Sequence, residues 1–191
     1  MEPDAVPSET DTEVVYPPGP EGEIDERANG EGWVYDSLYE SASEFVQDMC
    51  DSLPTQAKHW SPGQWLAEGG YLDGDGRAIL EFGIPKLCPK WERTLKSAVD
   101  GTYERWISSG DYEVVKDPKP YDPESDSDVQ EIGPGTYRAV GRASDCYWER
   151  TTKGGGIIAN QYVTQATALT VTLQVGELFT NDGCGALQPV S

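Results

Sequence analysis

The chain has 191 residues, 34 acidic against 14 basic side chains and a net charge of −20. That length holds one medium domain or two small ones. The charge excludes a phosphate-backbone partner, which needs clustered Lys and Arg, and no run of about 18 apolar residues is present to span a membrane.

Residues 1–32 are read as a disordered acidic tail, because Asp, Glu, Pro and Gly dominate and few apolar side chains are available to offset chain entropy. Residues 33–115 are expected to form a helical module. Ser37-Leu38-Tyr39-Glu40 fits a capping box, with Ser at the N-cap and Glu at N3. Leu38, Ala42, Phe45, Val46, Met49 and Leu53 then recur at helical spacing, and Pro54 is expected to end the pattern. Ser61-Pro62-Gly63-Gln64 offers a second start, stopped at Gly69-Gly70. A third helix is expected from about Asp75, with a break near Cys88 because Pro85 and Pro89 cannot both lie mid-helix. Leu95, Ala98 and Val99 continue the apolar face, and Tyr103, Trp106 and Ile107 are expected to prolong the last helix. Residues 116–131, with Asp117, Asp122, Glu124, Asp126, Asp128 and Glu131, read as an acidic, protease-sensitive linker.

Residues 132–191 change period. Thr136–Val140, Cys146–Thr152, Ile157–Val163 and Leu169–Val175 are β-branched or aromatic runs, punctuated by Gly133-Pro134-Gly135, Gly141, Gly154-Gly155-Gly156 and Gly176. A last short strand is expected at Leu178-Phe179-Thr180. The fold class is therefore α+β: an N-terminal helical module and a C-terminal small antiparallel β-sandwich or barrel, joined by the acidic linker.

Four cysteines allow three pairings. Cys50 and Cys88 are 38 apart, as are Cys146 and Cys184, and the linker separates the two sets. Local pairing, Cys50–Cys88 and Cys146–Cys184, is the economical choice, with four buried thiols as the alternative. Paired cysteines place the chain outside the reducing cytosol. Met1-Glu2-Pro3-Asp4 lacks the basic start and apolar stretch of a signal peptide. An extracytoplasmic location then requires a removed leader or another exit, such as release inside a phage particle.

Candidate chemistry is sparse. His59 stands between Lys58 and Trp60 with no ligand or nucleophile at useful spacing and reads as a loop residue. Asp73-Gly74-Asp75-Gly76 opens like a calcium loop, but the twelfth position falls on Ile84, so a turn and helix N-cap is the expected role. Gly154-Gly155-Gly156 lacks the Lys-Ser or Lys-Thr of a phosphate loop and reads as a hairpin turn. No catalytic, cofactor-binding or metal-binding residue is assigned. Tyr147, Trp148, Glu149 and Arg150 are the candidate partner contact. Alternation along a strand puts one of the two rings outward, beside a charge and in a nearly charge-balanced module, where it can meet a glycan or a protein.

Pro134-Gly135-Thr136-Tyr137, Cys146-Tyr147-Trp148-Glu149-Arg150, Ile157-Ile158-Ala159-Asn160 and Gly183-Cys184-Gly185 together resemble a recurring domain of actinobacterial exported proteins and lipoproteins, also met in actinobacteriophage proteins. The resemblance covers most of residues 132–190. It implies a β-fold with Cys146 and Cys184 joined, and implies no enzymatic activity. More loosely, Phe45 to Cys50 and Leu87-Cys88-Pro89 resemble small mycobacterial secreted helical proteins. The expectation is a non-enzymatic interaction protein of the cell envelope, with a protein or cell-wall glycan as partner. The alternative is a structural or accessory phage-particle component, such as a decoration protein contacting capsid proteins. A glycan-directed hydrolase using paired carboxylates is the remote third.

Overall fold

The computed structural model describes residues 14–56, 58–121, 127 and 129–190. Among them, helices come first and strands second, an α+β fold whose C-terminal part is rich in sheet.

The first helix corrects the reading of residues 1–32 as a tail. Helix α1 spans Pro20–Glu31. Pro20 sits in its first turn, where a missing N–H removes no helical bond, and Glu21 and Glu23 meet the positive end of the helix dipole. Gly32, at φ 69°, closes it. Ile24 and Ala28 lie four apart, make one stripe and are buried. Composition averaged over the whole segment hides a stripe this narrow. Residues 1–13 of the expected tail lie outside the described residues.

Helix α2 spans Ala42–Gln56, so the expected box at Ser37 sits too early. Ser41 is the working cap: its Oγ accepts from the Glu44 amide at 3.1 Å, while the Glu44 carboxylate accepts from the Glu40 amide at 2.6 Å. The same Ser/Glu chemistry operates one turn later. Asp25 of α1 adds a cap from outside, accepting from the Ser43 amide at 2.8 Å and from its hydroxyl at 2.9 Å. An acidic residue assigned to the tail thus holds the next helix. Pro54 lies within the last turn and does not stop the helix before Gln56.

Helix α3 spans Pro62–Glu68, capped as expected by Ser61, whose Oγ accepts from the Gln64 amide at 3.1 Å. Helix α4 spans Gly76–Leu87 and holds Pro85; it breaks at Cys88, a 3₁₀ turn follows at Pro89–Trp91, and α5 spans Glu92–Val99. Val46, Leu53, Leu66, Ile79, Leu80 and Ile84 are fully enclosed between these helices. Each contributes about 1.5–3 kcal/mol of apolar burial. Gly83 sets the approach of α4 to α2, since a Cβ there would lie 2.5 Å from a Val46 methyl.

The expected extension of the last helix through Tyr103, Trp106 and Ile107 is overturned. This segment is extended, and Ile107 makes an antiparallel bridge to Leu187. The Gln64 side chain supplies the reason. Its Oε1 accepts from the Trp106 amide at 2.8 Å and its Nε2 donates to the Trp106 carbonyl at 3.3 Å, as a neighbouring strand would.

Strands β1 (Gly110–Val114), β2 (Val129–Ile132), β3 (Gly135–Ala139), β4 (Ala143–Thr152), β5 (Ile157–Ala166), β6 (Thr170–Leu173), β7 (Glu177–Asp182) and β8 (Leu187–Pro189) follow. They form a sheet ordered β2-β1-β7-β4-β5 and a sheet ordered β6-β3-β8. Tyr112, Val114, Ile132 and Phe179 from the first share one buried core with Tyr137, Val171, Leu173 and Leu187 from the second. The pairings are antiparallel except β1 with β2, which run parallel. β1 falls in the segment assigned to the helical module, and β2 begins inside the expected linker. Much of that linker, residues 122–126 and 128, lies outside the described residues.

Candidate functional site

The two cysteine pairs are joined as the spacing predicts. Cys50–Cys88 ties α2 to the end of α4, with Cα atoms 5.9 Å apart, and Cys146–Cys184 ties β4 to the turn after β7, at 4.9 Å. All four are buried. Gly183 and Gly185, at φ 75° and 78°, let the chain turn tightly on either side of Cys184. Paired cysteines are the chemistry of an oxidising compartment. Among the described residues no helix is long and apolar enough to cross a membrane.

The structure separates the four residues of the candidate contact. β4 alternates, so Cys146, Trp148 and Arg150 face the second sheet, and Tyr147 and Glu149 face outward. Trp148 packs against the buried core. Arg150 is engaged within the chain. It is largely enclosed and grips Glu177 with two bonds, Nε to Oε2 at 2.9 Å and Nη2 to Oε1 at 2.7 Å. The Gln174 amide adds a third bond to Glu177 at 3.1 Å. The Arg150 hydrogen bonds hold the Glu177 carboxyl below the usual glutamate range.

That depressed value has a consequence for acid stability. The contribution of the Arg150–Glu177 pair is full above about pH 4.3, the ordinary glutamate value, and is lost as the pH falls through the lower folded-state value. Urea midpoints measured from pH 6 down to pH 2.5 are expected to drop more steeply for the natural protein than for Glu177→Gln. Parallel curves would remove Glu177 from the acid response.

On the outer face, Tyr147 stands directly opposite Tyr162 of β5, and Glu149 opposite Asn160. The Tyr147 hydroxyl donates to Glu149 Oε2 at 2.7 Å and accepts from Asn160 Nδ2 at 2.9 Å. The bond to Glu149 raises the Tyr147 phenol above its usual range. Tyr162 is 60% exposed and Ile157, further along the same edge strand, 62%. Two rings, a carboxylate and an amide therefore share one open surface. The sequence marked Ile157 and Asn160 only as part of a β-run and of the motif that carries the resemblance, and neither they nor Tyr162 as contact residues. The hairpin was legible, since Gly154–Gly156 closes β4 onto β5 with the Gly155 amide bonded to the Thr152 carbonyl at 2.9 Å, but counting outward from it pairs Tyr147 with Gln161; the register shift between Arg150 and Thr151 is what brings Tyr162 opposite Tyr147.

The other candidates resolve simply. His59 is exposed in a turn. Asp73–Gly76 is a turn leading into α4 and Asp75 stands at its N-cap, as expected, but its side chain makes no cap bond; its Oδ2 accepts from the Val34 amide at 2.9 Å, across the module. Among the described residues no group of three or more His, Cys, Asp and Glu is placed to hold a metal ion. No protein-family model matches the chain, and neither a curated protein nor a solved structure matches it.

Proposed function

We propose that this chain is a non-enzymatic, extracytoplasmic interaction protein that contacts its partner through the outer face of the β4–β5 pair. The observation that carries the reading is the Tyr147–Tyr162 cross-strand pair beside Glu149 and Asn160. Aromatic faces accept the apolar side of a sugar ring, and a fixed carboxylate and amide bond its hydroxyls. The Glu149–Tyr147–Asn160 hydrogen bonds hold these groups before any ligand arrives, which reduces the entropy lost on binding. An actinobacterial cell-wall glycan is the partner this surface fits. A protein partner and attachment to a phage capsid are the other outcomes of the test.

Purified protein is expected to co-sediment with mycolate-rich cell walls. Tyr162→Ala and Tyr147→Ala should each weaken retention about tenfold, equivalent to about 1.4 kcal/mol, with small effects on the urea midpoint. Trp148→Ala should instead lower stability by about 2 kcal/mol, below the range for a fully enclosed ring because this one is half-buried. Retention on capsids alone would move the protein to the virion. Retention unchanged in both tyrosine variants would remove this face as the contact.

A further inference from the structure

A second surface lies in the helical module, away from β4 and β5. A groove of about 460 Å³ opens between residues 34–39 and the turn at residues 69–76. Its floor is Phe45, with the Tyr39 ring 5.2 Å from it, and Tyr71, tilted at 45° against Trp65 with centroids 4.5 Å apart, forms a wall. Asp36 and Asp73 line the opening, and no Lys, Arg or His does. Tyr39 is fixed by its hydrogen bond to Asp48 at 2.8 Å.

Two apolar side chains of the groove are left open to solvent. Leu38 is 83% exposed and Val34 73% exposed at its mouth. Both are held there by fixed backbone, the Leu38 amide on Asp36 Oδ1 at 2.9 Å and the Val34 amide on Asp75 at 2.9 Å. Among the described residues, none of the lining carboxylates Asp36, Asp73 and Asp75 is in an ion pair, although Arg and Lys pairs occur elsewhere in the module. Apolar side chains, aromatic rings and carboxylates without a cationic partner thus converge on one concavity.

We infer that this groove docks a basic, apolar-flanked segment of a partner protein, with an Arg or Lys side chain seated between Tyr39 and Tyr71 and its neighbours on Leu38 and Val34. Charge complementarity selects this occupant. A cation gains from ring faces and from the carboxylates at once, whereas an acidic segment meets only like charge. Leu38 and Val34 bury their exposed surface against the flanking residues, which a bare cation in solution would not provide.

The test uses the full chain, isotope-labelled, titrated with the blocked peptide acetyl-Leu-Arg-Leu-amide and followed by amide chemical shifts. Shifts are expected at residues 34–39 and 69–76, saturating at a Kd of about 1 mM. Asp73→Asn and Leu38→Ala should each weaken binding about threefold, and only the Asp73 effect should fade in 0.5 M salt, where charges are screened. The glutamate analogue of the peptide should leave these residues unmoved. Equal shifts with the glutamate peptide, shifts spread over the whole acidic surface, or no saturable shift in the groove would each overturn the inference.

Discussion

Replacing Arg105 with Met is expected to lower the unfolding free energy by about 3–5 kcal/mol, the range for breaking a buried ion pair from one side. Arg105 Nε lies 3.1 Å from Glu68 Oε1, with the two side chains 12% and 2% exposed. Its guanidinium also donates to the Lys119 carbonyl at 2.8 Å and to the Glu131 carbonyl at 2.7 Å. One side chain therefore joins α3, the start of the linker and β2. Met would leave Glu68 enclosed without its cation, with the Tyr103 hydroxyl and the Gln64 amide, at 2.9 and 3.0 Å, as its remaining donors among the described residues. The double variant Arg105→Met, Glu68→Leu should recover part of the loss, because no uncompensated charge remains. Urea unfolding measures both. Limited proteolysis supplies a second readout: cleavage at residues 116–121 should accelerate in Arg105→Met, since the Lys119 carbonyl loses its anchor. A variant as stable and as resistant as the natural protein would show that the pair holds nothing together.

Converting Cys146 and Cys184 to Ser is expected to cost about 4 kcal/mol, the chain-entropy value for a closed loop of roughly 39 residues. The Cys50–Cys88 bond closes a loop of the same separation. On that account it should cost the same. Losses of this size approach the whole stability of a small module, whose buried core is limited by its surface-to-volume ratio. Urea midpoints of the two paired-Ser variants, without reductant, check the prediction. Clearly unequal losses would mean that strain or residual structure, not loop closure, governs at least one bond. The double variant tests coupling. Arg105, Gln64 and the Ile107–Leu187 bridge connect the two disulfide-tied regions, so the two losses should not simply add.

Much of this structure follows from short-range rules. The equal Cys50–Cys88 and Cys146–Cys184 spacings gave the pairing, because loop closure favours near neighbours in the chain. Ser61 before Pro62 marked a helix start, and Gly154-Gly155-Gly156 marked a hairpin, because caps and turns are decided by a few adjacent residues. Alternation in β4 was legible for the same reason: it predicted that Tyr147 and Trp148 point to opposite faces. Alternation alone did not say which face was the inside. That was decided by where the second sheet lies, which put Trp148 on the core and left Tyr147 beside Tyr162.

Long-range contacts decided the rest. Ile24 and Ala28 make a helix out of an acidic segment only because α2 and α4 are there to cover them. The cap of α2 moved from Ser37 to Ser41, since two Ser/Glu pairs overlap in the sequence and Asp25 reaches across to Ser43. Residues 103–107 have helical spacing, yet the Gln64 side chain, 42 positions from Trp106, and the Leu187 backbone, 80 positions from Ile107, offer hydrogen-bond partners that only an extended segment can use. The sequence by itself therefore determined the α+β order, the disulfides, the hairpin and the alternation of its strands, because each depends on residues close in the chain. Tertiary structure alone decided the extended joint, the burial of Arg105 and the exposure of Leu38 and Tyr162, because burial is a property of what packs alongside and no local pattern encodes it.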